Sequence, residues 1–289
     1  AVFEIPGVFD DCMKVVEALS ETFNVALLNS KNAWRILGQE SFSYEIAQDL
    51  EYDVSRAVVV LPIGNAGNIT AVMSGFLKFY EAGIIEALPK IVGVQSEHAN
   101  PVYRYYLEPN EDRRKFVPVT VKSSVAQAAM IGNPVSMPRV IHLVKRYNQL
   151  AGEPRTFFVE VSEQDIMDWE ILANRHGHIA CTHGGESLAG LLQAKKRGII
   201  EKQDMAILDS TAHAIKFAGF QQMYFEQQFP PDYKISPQQE LINTPVYVHP
   251  ADLDKVPAPG RPLAGKDFER FVQRMAEEIS KMLDLTKKR

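Results

Sequence analysis

Cysteine is scarce in this chain. Cys12 and Cys181 are the only two among 289 residues, and neither stands in C-x-x-C or Cys/His metal-ligand spacing. That pattern excludes a disulfide framework and a zinc site, so no metal is expected. No apolar run reaches the roughly 20 residues that a membrane helix needs. The first residues also lack the basic-then-apolar layout of a signal peptide, so the expectation is a cytoplasmic protein with no membrane partner. An excess of positive charge is missing as well: 31 Lys and Arg stand against 36 Asp and Glu, for a net charge of -5, and the two signs are interspersed. No nucleic-acid footprint results, and Lys287-Lys288-Arg289 reads as a frayed, solvated end. Internal repeats and low-complexity tracts are absent. So are the dinucleotide fingerprint G-x-G-x-x-G and the lysine-bearing phosphate loop of ATP-binding proteins.

What is present is a core-forming chain with 46% hydrophobic residues, long enough for one large domain or two smaller ones. Its most informative stretch is Ala57-Val58-Val59-Val60-Leu61-Pro62-Ile63-Gly64-Asn65-Ala66-Gly67-Asn68-Ile69-Thr70-Ala71. The first half has the β-branched, all-apolar character of a strand buried on both faces. The second half is a glycine-punctuated loop opening onto a helical pattern. Strand, Gly/Asn loop and helix in that order can make an anion pocket, because glycine backbone approaches a ligand closely and the helix N-terminus adds partial positive charge. A phosphate is the natural guest. The same glycines also suit a plain turn from strand into helix.

Taken in order, Val2 to Ile5 reads as a strand already in progress, followed by a Pro6-Gly7 turn. A helix then has Asp10 or Asp11 as N-cap and Cys12, Val15, Val16 and Leu19 on one face. Val25 to Leu28 reads as a second strand, leading through the polar Asn29-Ser30-Lys31-Asn32 into a helix from about Trp34 to Leu50. Helix Ile69 to Ala82, strand Lys90 to Gln95, a short helix over Val125 to Met130 and a Ser136-capped helix carrying Val140, Leu143, Val144 and Tyr147 come next. Strand Thr156 to Val161 and a helix from Ser162 to about His176 follow. Ile179 to Cys181 is a very short strand feeding a second glycine-rich loop, Thr182-His183-Gly184-Gly185-Glu186-Ser187, and a helix over Leu188 to Lys196. Met205 to Leu208 is the last core strand and delivers Asp209-Ser210-Thr211 to its carboxyl end. Beyond it lie a short strand at Val246 to His249 and an amphipathic helix from Phe268 to Leu285. His183 and His213 read as structural hydrogen-bonders, and Cys181 as a small buried apolar residue. The alternation is βα nearly throughout, so the fold class is α/β, a mostly parallel twisted sheet with helices on both faces.

Four blocks of this chain resemble, in order, those of threonine synthase, a pyridoxal-phosphate enzyme with the tryptophan-synthase-β-like fold (fold type II). They are Phe9-Asp10-Asp11 with Asn29 to Gln39, then Val60 to Ala71, then Ile131-Gly132-Asn133-Pro134-Val135-Ser136, and finally Ser210-Thr211-Ala212-His213-Ala214-Ile215-Lys216. The resemblance implies that the amides of Gly64, Asn65, Ala66, Gly67 and Asn68 hold the phosphate of pyridoxal 5'-phosphate and that Thr211 offers its hydroxyl to the pyridine nitrogen. Ser30 and Arg35, with Asn65 at the rim, would receive the substrate phosphate, for which a guanidinium fork is well suited. The implied reaction converts O-phospho-L-homoserine and water into L-threonine and phosphate. Family members are commonly dimers, so a homodimer is expected.

The family's Schiff-base lysine, in an S-F-K-D-R-like context, matches no segment here. Lys31, Lys90 and Lys216 stand in other surroundings. No catalytic residue is therefore assigned within the chain, and the lysine is expected upstream. The resemblance implies the C-terminal part of the family, with residues 1–40 closing a small domain, residues 41–289 forming the large cofactor-binding domain, and the isolated chain inactive. Ala212 and Ala214 replace family glycines, and Thr182 to Glu186 replace small residues. Two alternatives remain: another fold type II enzyme, such as cysteate synthase or a threonine dehydratase, and a non-catalytic module that binds a phosphorylated ligand.

Overall fold

In the computed structural model, which describes residues 2–286, the sheet is built around the first strand, β1 (Ala57–Pro62), every residue of which is buried. β1 pairs in parallel with β2 (Lys90–Ser96) on one side and with β4 (Met205–Leu208) on the other, and β2 pairs in parallel with β3 (Thr156–Val161). The order is thus β3-β2-β1-β4. The chain lays down three strands in one direction and then returns to add β4 beside the first. That reversal opens a crevice at the carboxyl ends of β1 and β4, the place where open α/β sheets bind ligands.

Side chains of β1 alternate between two cores, as the period of a strand demands. Ala57, Val59 and Leu61 join the cluster formed with α3 (Ser41–Asp49), α4 (Gly67–Glu81), α5 (Pro101–Leu107) and α6 (Met137–Ala151). Val58 and Val60 join the cluster formed with α7 (Glu163–Arg175), α8 (Thr182–Lys196) and α9 (Ala218–Phe225). An apolar run with no polar face is what a sheet covered on both sides requires, and the mostly parallel α/β fold expected from the sequence is the one observed. Close approach of α8 to the sheet depends on Gly190, where a Cβ would sit 2.2 Å from a methyl of Val94.

Several local expectations are corrected. Val2 to Ile5 and Val25 to Leu28 are not strands. Val2 is 99% exposed and Leu28 79%, so neither segment has a neighbour to pair its backbone, and β-branched composition alone cannot supply one. Helix α1 (Phe9–Thr22) is capped at Val8, whose N–H donates to Asp11 Oδ2 at 2.9 Å, so Asp11 acts three residues inside the helix and not as the cap. The single helix expected over 34–50 is two, α2 (Ala33–Gln39) and α3, broken at Glu40. The buried Glu40 carboxylate accepts from Tyr44 Oη and Lys78 Nζ. Asn32 caps α2 by accepting from the Trp34 N–H at 2.9 Å. The short helix near Val125 is one 3-10 turn, Gln127–Ala129, and Ile179 to Cys181 contributes a single bridge, Ala180 to His213. The glycine-rich segment Thr182 to Ser187 is no loop, for it forms the first turns of α8.

Contacts divide the chain into Ala1–Ile242 and Asn243–Arg289. Within the second unit, Val246 to His249 forms no strand, and α10 (Gly265–Met282) is the amphipathic helix expected there. Arg274 grips Asp252 with a two-pronged guanidinium contact at 2.9 and 2.7 Å. The terminal 287–289 expected to be frayed lie outside the described residues. Among the described residues, no helix is long and apolar enough to cross a membrane.

Candidate active site

A cavity of about 670 Å³ opens at the carboxyl ends of β1 and β4. Its walls contain Ser30 and Arg35, Gly64 to Asn68, Asp209 and Thr211, so every residue singled out in the sequence for cofactor or substrate reaches one space. His183, at the start of α8, completes this wall. The sheet brings the two strand-end segments together because Asp209 N–H donates to Val60 O at 2.9 Å, continuing the β1–β4 ladder to the brink of the loop.

The loop itself has the features of an anion cradle. Ala66 has φ 60 and ψ 14, the left-handed conformation that costs a residue with a Cβ about 1 kcal/mol or more and that clusters at ligand sites. Gly64 passes so close to the next segment that a Cβ there would lie 3.0 Å from Ala129 Cα and 3.2 Å from Ala128 O. At Gly67 a Cβ would meet nothing within 4 Å, so the head of α4 faces open space. No side chain caps α4, and the first amides of a helix have no partner within it. These free N–H groups and the helix dipole converge on one end of the cavity.

Asn65 ties the loop to the third sequence block. Its Oδ1 accepts from Val135 N–H at 2.8 Å and its carbonyl from Ser136 N–H at 3.2 Å, while its buried Nδ2 has no partner. The Ile131 to Ser136 block therefore serves mainly as a buttress. Asn68 donates to Asp209 Oδ2 at 2.6 Å, binding the loop to the end of β4. Arg35 reaches Ser30 Oγ at 3.4 Å, a long contact, and pairs with no carboxylate among the described residues. Thr211 is an exposed part of the wall. No lysine lines the cavity among the described residues.

Two groups were missed as site residues. Asp209 is 7% exposed, and burial raises its carboxyl pKa above the ordinary range while the Asn68 bond and nearby His183 oppose that rise. Its position directly after a core strand was the available signal. His183 is 4% exposed, its Nδ1 lies 3.2 Å from Glu186 Oε2, and its Nε2 is buried with no partner. Glu186 is wholly buried, and burial raises its carboxyl pKa too. His213, by contrast, accepts the Ile215 N–H at 3.1 Å as a local cap.

A parallel sheet with covered faces, a reversal of strand order and an amide cradle at a helix head define a class: an α/β protein built to hold a phosphorylated ligand at its strand ends. The model of the pyridoxal-phosphate dependent enzyme family matches residues 1–210. The chain belongs to that family. Among curated relatives, threonine synthase 2, chloroplastic, of Arabidopsis thaliana is 33% identical over 75% of this chain and 40% of the relative. Threonine synthase of Methanocaldococcus jannaschii is 32% identical over 74% of this chain and 51% of the relative. The chain thus spans about half the length, or less, of these relatives. Among solved structures, threonine synthase from Escherichia coli superposes with a TM-score of 0.59 at 21% identity, covering 75% of this chain and 48% of that one. A structure described as pyridoxal-phosphate-bound threonine synthase from Brucella melitensis gives 0.54 at 16% identity, over 74% and 49%. These superpositions show the fold.

Proposed function

We propose that this chain is the cofactor-cradling part of a threonine synthase, acting on O-phospho-L-homoserine and water to yield L-threonine and phosphate. The observation that carries the reading is the uncapped head of α4, with its left-handed Ala66 and unpartnered Asn65 amide, in one cavity with Ser30, Arg35 and Thr211. The named threonine synthases among its relatives support it.

In this reading the amides of Gly64, Asn65, Ala66, Gly67 and Asn68 hold the phosphate of pyridoxal 5'-phosphate. A dianionic guest suits a cradle with free backbone donors, and a Cβ-free approach at Gly67 leaves it room. Thr211 offers a neutral hydroxyl to the ring nitrogen, which enforces ring protonation less strongly than an aspartate does. Bound there, the cofactor supplies an electron sink for charge developing on an amino-acid substrate. Ser30 and Arg35 orient the phosphate of the substrate, and a guanidinium with no carboxylate partner among the described residues is suited to that task. Their presence favours a phosphorylated substrate over the unphosphorylated ones of related enzymes. Residues 1–40 are proposed to close a small domain, with 41–289 as the large one and a second copy as partner. Because no lysine among the described residues stands in the cavity wall, the isolated chain is expected to bind ligands without turning them over.

Titration of the chain with pyridoxal 5'-phosphate, followed by calorimetry and absorbance, tests the cradle. Saturable binding displaced by inorganic phosphate is expected, and the absence of saturable binding overturns the reading. The substrate role is tested by Arg35→Ala. Loss of a charged hydrogen bond costs about 2 kcal/mol, so the affinity for O-phospho-L-homoserine should fall about thirtyfold while that for pyridoxal 5'-phosphate stays within about twofold. An unchanged affinity for O-phospho-L-homoserine refutes the assignment of Arg35.

A further inference from the structure

A negative charge beside an anion site weakens the site, yet this cradle has an acid in its wall. Asp209 lines the same cavity as Gly64 to Asn68. It directly follows β4, where its N–H donates to Val60 O at 2.9 Å and its carbonyl accepts from Ser187 Oγ at 2.8 Å. Its side-chain Oδ2 accepts from Asn68 Nδ2 at 2.6 Å, and Asn68 is the second residue of α4, the helix with the uncapped head. The carboxyl is thus tied to both elements that frame the cradle, and turning away from an arriving anion would cost it the bond to Asn68.

The two carboxyl oxygens differ. Oδ2 is taken by Asn68, whereas Oδ1 has no hydrogen-bond partner among the described residues and, unlike Asn65 Nδ2 in the same wall, is not sealed from solvent. The small surface left to Asp209, 7% exposed, belongs to the wall of this cavity. Two negative charges in a space with little water repel strongly, and a carboxylate can remove one of them by binding a proton. Burial already pushes Asp209 that way, for it raises the carboxyl pKa against the Asn68 bond and nearby His183.

We propose that Asp209 determines which charge the cradle accepts: a phosphoryl group enters together with one proton, which Oδ1 binds and offers to that group as an O–H donor. The inference rests on the phosphate-cradle reading and deepens it by naming the residue that selects the charge state of the guest. The proton comes from solvent. One O–H bond forms at Oδ1, the carboxyl becomes neutral, and Oδ2 goes on accepting from Asn68. Affinity for a dianion therefore falls as pH rises. Other groups bear on that proton. His183 of α8 faces Asp209, with Glu186 at 3.2 Å from its Nδ1, and the cavity wall also carries Arg35 of α2 and Glu45 of α3. Positive charge on His183 or Arg35 favours the ionised carboxyl, and Glu45 favours the protonated one.

Sulfate is the probe, because it copies a phosphoryl dianion in shape and charge and does not itself titrate near neutral pH. Calorimetric titration of the chain with sulfate across a pH series needs no turnover. The affinity of wild type should fall with rising pH, about tenfold in all, the effect of an acid whose pKa the anion raises by about one unit. Within that fall, buffers of different ionisation enthalpy should reveal net proton uptake. Asp209→Asn keeps an acceptor for Asn68 and removes the charge, so it should bind sulfate without proton uptake and hold the wild type's acid-side affinity at every pH. An unchanged pH profile in Asp209→Asn, or a wild type whose affinity does not vary with pH, overturns the inference while the cradle stands. No saturable binding of sulfate also overturns it, and no saturable binding of pyridoxal 5'-phosphate overturns the cradle as well. Should Asp209→Asn fail to fold by circular dichroism, Asn68→Ala decides. Without the bond that favours the ionised carboxyl, the fall in affinity should move to higher pH, and an unmoved profile overturns the proposal.

Discussion

Two glycine-bearing segments follow short apolar runs in this chain, and as sequence they look alike. Gly64 to Asn68 and Thr182 to Ser187 both have glycines beside small or polar residues at the mouth of a helical pattern. In the structure they do opposite things. The first holds a left-handed residue, leaves the head of α4 uncapped and faces open space at Gly67. The second is helical from Thr182 onward and buried throughout, and it spends its glycines on contact: at Gly185 a Cβ would lie 2.3 Å from Ile166 O and 2.7 Å from Glu170 Cβ. Gly67 opens onto the cavity, whereas Gly185 makes room for a neighbouring helix. What separates Gly67 from Gly185 is the presence of a second backbone within touching distance, a property of the fold and not of the local sequence.

The sharpest way to break that comparison is Gly185→Ala. The obstructing atom at 2.3 Å is a backbone carbonyl of α7, which cannot rotate away, so α8 must lift from α7 along their shared contact. Overpacking of this kind costs about 3 kcal/mol, read as a lowered urea midpoint. A loss under about 1 kcal/mol would mean that the two helices are not as closely locked as described.

The same interface hides an acid. Glu170 is 1% exposed, and its Oε2 has no hydrogen-bond partner. Burial pushes its carboxyl up to about 8 from an ordinary 4.5. The folded chain therefore keeps a proton that the unfolded chain releases, and stability falls as pH rises from about 4.5 through about 8. Below that window both states are protonated and the effect vanishes. Glu170→Gln removes the titration, so it should stabilise the protein on the order of 2 kcal/mol at pH 8.5 and change little at pH 4.5. Equal effects at the two pH values, measured by urea unfolding, would refute the buried-acid account.

Much of this architecture was legible because the relevant signals are local. The apolar run 57–62 announced a strand covered on both faces, the periodicity of 137–151 announced α6, and Ser162 announced the start of α7. The cavity-lining role of Ser30, Arg35, Gly64 to Asn68 and Thr211 was reached through four blocks in order, each set at a strand end or a helix head. Failures came where pairing or packing decides. Val25 to Leu28 has strand composition but no neighbouring strand, and Val246 to His249 likewise. His183 escaped as a site residue because its idle Nε2 and its Glu186 partner emerge only when helix α8 begins at Thr182, which the glycines argued against.

The smallest expected effect sharpens the comparison from its open side. Gly67 lies at the first position of α4 and is not among the glycines with positive φ, so alanine can adopt its conformation. Nothing stands within 4 Å of the added methyl. Replacing glycine in a helix lowers the entropy of the unfolded chain, so Gly67→Ala should raise stability by about 0.5 kcal/mol. The methyl also enters the wall of the cavity beside the free amides, so affinity for inorganic phosphate should fall several-fold, on the order of 1 kcal/mol. Stability and binding then move in opposite directions at Gly67, whereas Gly185→Ala harms stability alone. Thermal melting and phosphate titration of the same variant check both halves. A destabilised Gly67→Ala would place a neighbour where the structure has none, and a stabilised variant with unaltered phosphate affinity would move the anion away from the head of α4.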